Sequence, residues 1–195
     1  ITCLAEGYIF TDNAAYAETA MRYMTTLSKW ESLGWQTSNL TTGHWAMGMA
    51  IGYDTFYSYF SATEEGRDKL ESIKNAALRT ALADTEAAYR GEGGPRWIKL
   101  RDNFSGVIGG GVMALVLALA DESEVCGKAA YLLENIIKSN EIAVSLYVPD
   151  GGYFEGVGYS EYMLGNLTTG IEALFNCCGT DYGLGSAKGF SNAGS

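Results

Sequence analysis

Three clusters of polar and aromatic residues could carry chemistry in this chain. The densest is YVPDGGYFEGVGYSEYMLGN, residues 147–166, where Asp150, Tyr153, Glu155, Tyr159 and Tyr162 crowd a glycine-rich turn that opens a helix. One capping residue suffices to start a helix, so the surplus acid and phenols ask for another use. A second cluster offers Arg96, Trp97, Lys99, Arg101, Asp102 and Asn103, and a third offers Asn39, His44 and Trp45. Flat rings beside amides, guanidinium groups and carboxylates suit a sugar chain, which stacks on ring faces and hydrogen-bonds through its hydroxyls. Helix N-termini add partial positive charge, which favours an acidic group on the sugar and eases ionisation of a nearby phenol.

Each residue also has a plainer use. Pro149 to Gly152 form a good turn, and Asp150 and Glu155 can serve as turn and cap. Asn103 can be an ordinary helix cap. His44 can be a satisfied partner on a crowded helix, Trp97 the single anchor of a solvated loop, and Tyr159 a packed phenol at a helix start.

Composition narrows the field. A chain of 195 residues that is 47% hydrophobic can bury one sizeable core, so a single domain over 1–195 is expected. The formal charge of −10 leaves no basic face large enough to displace counterions, which excludes a nucleic-acid partner. The longest apolar run, residues 106–120, is shorter than the ~20 residues a membrane span needs and reads as a buried helix. Cys3, Cys126, Cys177 and Cys178 lack the spacing of a zinc or redox site, and with one histidine in the chain no metal or other cofactor is expected. The thiols are expected to be buried.

The elements that must position these clusters are helical. Residues 12–33 place Ala17, Met21, Met24, Leu27 and Trp30 on one stripe after a cap at Thr11 or Asp12. Residues 43–60 and 105–120 are apolar nearly all round, as buried helices are. Residues 66–90 and 123–146 return to one-sided patterning, and a last helix over 156–178 stops at Gly179. The order predicts an all-α fold of antiparallel helical hairpins with alternating outer and inner helices. In such an array the inner helices share one direction, so the three loops that lead into them gather on one rim.

The segments AIGYDTFY (50–57), RDNFSGVIGGGVMALVLALAD (101–121) and PDGGYFEGVGYSEY (149–162) resemble, in order and spacing, the helical domain of the heparinase II/III-like polysaccharide lyases and their alginate-lyase relatives. The resemblance covers about residues 40–180. It implies an incomplete (α/α) toroid, a fragment of a longer protein that lacks its C-terminal β-rich domain, and no activity for this piece alone. It implies an acidic polysaccharide or oligosaccharide substrate, β-elimination at a uronic acid, and a periplasmic or secreted location. Tyr159 falls on the tyrosine that acts as proton donor and often as base, and Asn103 on the asparagine that neutralises the uronate carboxyl. His44, Trp45, Arg96, Trp97, Arg101, Tyr153 and Glu155 are the expected substrate contacts. Position 104 is Phe, where some relatives place a catalytic histidine. Two other readings fit the same residues. One is an inverting glycoside hydrolase with Glu155 or Asp150 as acid and Asp54 or Asp102 as base, the pair roughly 6.5–9.5 Å apart. The other is a non-catalytic sugar-binding helical module.

Overall fold

The computed structural model describes residues 1–34, 40–92 and 96–190, and every regular element among them is helical. Eight α-helices follow one another: α1 (Thr2–Thr11), α2 (Ala14–Leu27), α3 (Leu40–Ser61), α4 (Glu64–Ala77), α5 (Ala83–Arg90), α6 (Asn103–Ala118), α7 (Ser123–Val144) and α8 (Val157–Cys178).

Most boundaries have local causes. Asp12 takes a left-handed conformation (φ 51°) and ends α1, and Asn13 then starts α2 by accepting the Ala15 N–H at 3.0 Å. This break falls at the expected start of the helix, and the correction to the expected span 12–33 lies at its other end. Ala17, Met21 and Met24 do form the buried stripe, but α2 stops at Leu27 and Trp30 is left 43% exposed beyond it. Thr63 caps α4 through the Gly66 N–H at 3.0 Å. A widened π turn over Leu78–Leu82 joins α4 to α5, and Leu70, Ile73, Ala77 and Ala81 stay on the buried side across it. Gly179 ends α8 with φ 70°, the left-handed stop that the sequence predicts.

The layout turns on the glycines of α6. A methyl group on Gly110 would overlap the Asn166 carbonyl of α8, and one on Gly111 would overlap the Gly43 carbonyl of α3. The reciprocal positions are equally tight: a Cβ on Gly170 would lie 2.5 Å from the Gly110 carbonyl oxygen, and one on Gly43 2.5 Å from that of Val107. α6 is therefore pressed backbone to backbone against a helix on either side. Residue numbers climb together across these contacts. Gly106 faces Met163 and Gly110 faces Asn166, while Ala114 to Ala118 share a cleft with Met47 to Asp54 and Thr169 to Cys177. The three helices thus run parallel, with α6 in the middle and their N-termini at one end. α4 packs on α3, and α7 packs on α6.

The cysteines depart from expectation. All four are exposed and unpaired, because Cys3 and Cys126 lie on the solvent faces of α1 and α7, and Cys177 and Cys178 on the free last turn of α8. At the far end from the three loops, Lys74 is 5% exposed and neutralised by Glu71 at 2.7 Å, Glu124 at 3.0 Å and Glu122 at 3.5 Å. Glu122 also accepts the Tyr53 hydroxyl at 2.6 Å, so one charge network ties α3, α4 and the start of α7.

The seam makes two glycine substitutions on one molecule diverge. Gly110→Ala should lower the stability measured by urea denaturation by about 1–3 kcal/mol or more, because backbone cannot yield as a side chain can. Gly165→Ala on α8, where a Cβ meets no atom within 4 Å, should raise it by about 0.5–1 kcal/mol.

Candidate functional site

The loop between α7 and α8 is folded on itself before it meets α6. Val148–Pro149 is a cis peptide, Asp150 accepts the Gly152 N–H at 3.1 Å, and Gly151 donates to the Tyr147 carbonyl at 2.8 Å. Gly151 (φ 94°) and Gly156 (φ 93°) occupy conformations that favour glycine, which explains those two positions of the motif. Tyr147 is fully buried and stacks on Tyr153 with ring centroids 5.1 Å apart. Tyr153 then donates its hydroxyl to Glu155 at 2.7 Å.

Glu155 is the hinge of the arrangement. Its carboxylate accepts the Asn103 backbone N–H at 2.8 Å and the Asn103 side-chain amide at 3.1 and 3.3 Å. Asp102, the N-cap of α6, accepts the Phe104 N–H at 3.0 Å beside it. The two acids are driven apart in proton affinity. Burial raises the Asp102 pKa, with the Glu155 charge adding to it. Burial works the same way on Glu155, but hydrogen bonds from Tyr153 and Asn103 outweigh it and hold that carboxyl below its ordinary range. Burial and the adjacent Glu155 carboxylate push the Tyr153 phenol up. The hydrogen bonds from Tyr153 and Asn103 favour the ionised form of Glu155, the opposite of what the hydrolase reading asks of it as general acid.

A second pairing stands across α3 and α8. His44 Nε2 and the Tyr162 hydroxyl are hydrogen-bonded at 2.5 Å although 118 residues separate them in sequence. Tyr159, Tyr162 and Asn166 follow at three- and four-residue steps on one face of α8. Beside the pair opens a cleft of about 380 Å³ lined by Tyr23, His44, Met47 and Asn166 among others, with no carboxylate in its wall. A more apolar cleft of about 240 Å³ shares Met47 with it and continues between α3 and α8 over Ala114 and Leu117. Asp54 lines that second cleft, ten residues and so about 15 Å along α3 from His44.

The expected site residues divide accordingly. Asn103 and Glu155 are in contact, with Tyr153 bonded to the same carboxylate, and His44 sits on the other side of the same end. Tyr159, in the first turn of α8, is 54% exposed. Arg101 is exposed as well. Trp45 and Trp97 are corrections: neither offers a ring face to a ligand. Trp45 is 5% exposed and donates to the Leu27 carbonyl at 3.4 Å, while Trp97 is fully buried edge-on to Tyr89. Asn39 and the Arg96 side chain lie outside the described residues. Tyr162 had no assigned contact in the sequence reading, and its three-residue step from Tyr159 was the signal for it.

Among the described residues no cluster of three His, Cys, Asp or Glu side chains could hold a metal ion, and no helix is long and apolar enough to cross a membrane. No family model matches the chain, and no curated protein is recognisably similar to it.

The depressed Glu155 pKa has a signed consequence. Its contribution to stability is present above the unfolded carboxyl value of about 4.5 and is lost as pH falls through the lower folded value. Urea denaturation across that range should show Glu155→Gln less stable than the wild type near neutral pH by about 1–3 kcal/mol, with the difference shrinking in acid.

Proposed function

We propose that this chain is the helical part of a polysaccharide lyase that cleaves uronic-acid chains by β-elimination, with α3, α6 and α8 as inner helices of an (α/α) toroid. The observation that carries this reading is the parallel packing of α6 and α8, with Asn103 in the first turn of one and Tyr159 in the first turn of the other at the same end. The motif resemblance assigns these two residues to one reaction although they are 56 positions apart in the chain.

Elimination removes the proton alpha to the uronate carboxyl and expels the glycosidic oxygen. Charge accumulates on the carboxyl as the proton leaves, and an amide donor there stabilises it; one such preorganised donor is commonly worth about 3–4 kcal/mol. Asn103 is 3% exposed, with its Nδ2 already shared with Glu155 and its Oδ1 without a partner. In this reading the sugar carboxylate meets the second Nδ2 hydrogen, and the loop bearing Glu155 shifts to admit it. Tyr159 stands in solvent, where its hydroxyl can protonate the departing oxygen. The sugar chain continues past His44 into the cleft between α3 and α8. A β-rich domain completes the site in the resembling enzymes, and a periplasmic or secreted setting goes with that reading.

One observation favours a second reading, a non-catalytic sugar-binding module: Asn103 is already bonded through its backbone and side-chain amides to an internal carboxylate. Products tell the two apart. Incubation of the whole lyase, of which this reading makes the chain the helical part, with alginate, heparin and chondroitin sulfate should generate ultraviolet absorbance from a new C4–C5 double bond on one of them, and Tyr159→Phe should reduce that rate by about 10²–10⁴-fold. Calorimetric binding without product would select the module, and saturated reducing ends would select a hydrolase.

A further inference from the structure

His44 is the sole histidine of the sequence, and it is exposed and lines the cleft of about 380 Å³. Its ring lies 5.3 Å from that of Tyr162, centroid to centroid, and its Nε2 is hydrogen-bonded to the Tyr162 hydroxyl. Tyr162 is itself 37% exposed, one helical turn beyond Tyr159 on the same face of α8. Two phenols therefore share one face of α8, and one of them has a base attached. We propose that His44 and Tyr162 form the proton-abstracting pair of this site and that Tyr159 acts as the acid alone; the assignment rests on the lyase reading above.

The step balances without a further reactant. With the imidazole proton on Nδ1, Nε2 accepts from the Tyr162 hydroxyl. As the Tyr162 oxygen takes the C5 proton of the uronate, its own proton passes to Nε2, leaving a neutral phenol and an imidazolium. The C5–H electron pair becomes the C4–C5 double bond, the C4–O bond breaks, and the Tyr159 hydroxyl gives its proton to the leaving oxygen. Burial raises the Tyr162 pKa, which disfavours a standing phenolate and suits a concerted relay to a neutral imidazole. The pairing also explains why α8 carries a second phenol at this spacing.

Abstraction and expulsion are separable by isotope exchange. In D₂O, with the variants made in the whole lyase and on whichever of alginate, heparin or chondroitin sulfate its wild type cleaves, Tyr159→Phe should still exchange the C5 hydrogen for deuterium while forming little unsaturated product. Tyr162→Phe and His44→Ala should lose exchange and elimination together, by about 10²–10⁴-fold. Added imidazole should restore both to His44→Ala and neither to Tyr162→Phe, a rescue that a merely structural role of His44 would not give. Wild-type melting temperatures for the two variants establish that each is folded. Exchange at the wild-type rate in folded Tyr162→Phe would overturn the pair and leave the lyase reading standing. Absence of both exchange and elimination in the whole wild-type lyase on all three polysaccharides would overturn the lyase reading and the pair with it.

Discussion

The close approach of α6 to α3 and α8 is the constraint on which the rest of the molecule depends. Gly110 and Gly111 let two carbonyls, those of Asn166 and Gly43, come where a side chain would otherwise stand. Contact at that range fixes register as well as distance, since sliding either helix brings a side-chain-bearing residue into the seam. The residue pairings across the seam climb together, so all three helices run parallel and their N-termini meet at one end. Bringing like ends of helix dipoles together is unfavourable unless negative charge is placed there. Asp102 and Glu155 supply it at α6, and the hydrogen bonds that hold Glu155 ionised also tie the loop ahead of α8 to the first turn of α6.

The site inherits its geometry from this seam rather than from its own loops. Tyr159, Tyr162 and Asn166 share a face because α8 is a regular helix, and that face is presented to His44 because α3 and α8 flank α6 in fixed register. Donors and acid lie toward the α6 terminus, and the imidazole of His44 lines the cleft. An acidic protein can present such a locally receptive end, because long-range repulsion is screened over about 10 Å at moderate salt.

Much of the fold was legible in the chain because burial leaves a periodic trace. The all-round apolar segments became α3 and α6, the one-sided ones α4, α5 and α7, and Gly179 ended α8 as its position implied. α1 escaped notice because its apolar residues do not gather on one face, and the stop of α2 at Leu27 was hidden by a stripe whose spacing runs on to Trp30. The roles of polar side chains were harder to read. Glu155 and Asn103 are 52 residues apart and His44 and Tyr162 118 apart, so no local pattern announces that either pair is bonded. Trp45 and Trp97 failed for the opposite reason: a tryptophan beside charged residues reads alike whether its ring faces a sugar or the core, and here both face the core.

A crystal structure of the protein with a bound uronate oligosaccharide tests the central claim most directly. The account predicts one sugar unit bridging the two helix starts, its carboxylate within about 2.7–3.2 Å of Asn103 Nδ2, its glycosidic oxygen at Tyr159, and the chain running on past His44. A ligand seated elsewhere, or helix starts of α6 and α8 too far apart for one sugar to reach both, would contradict it.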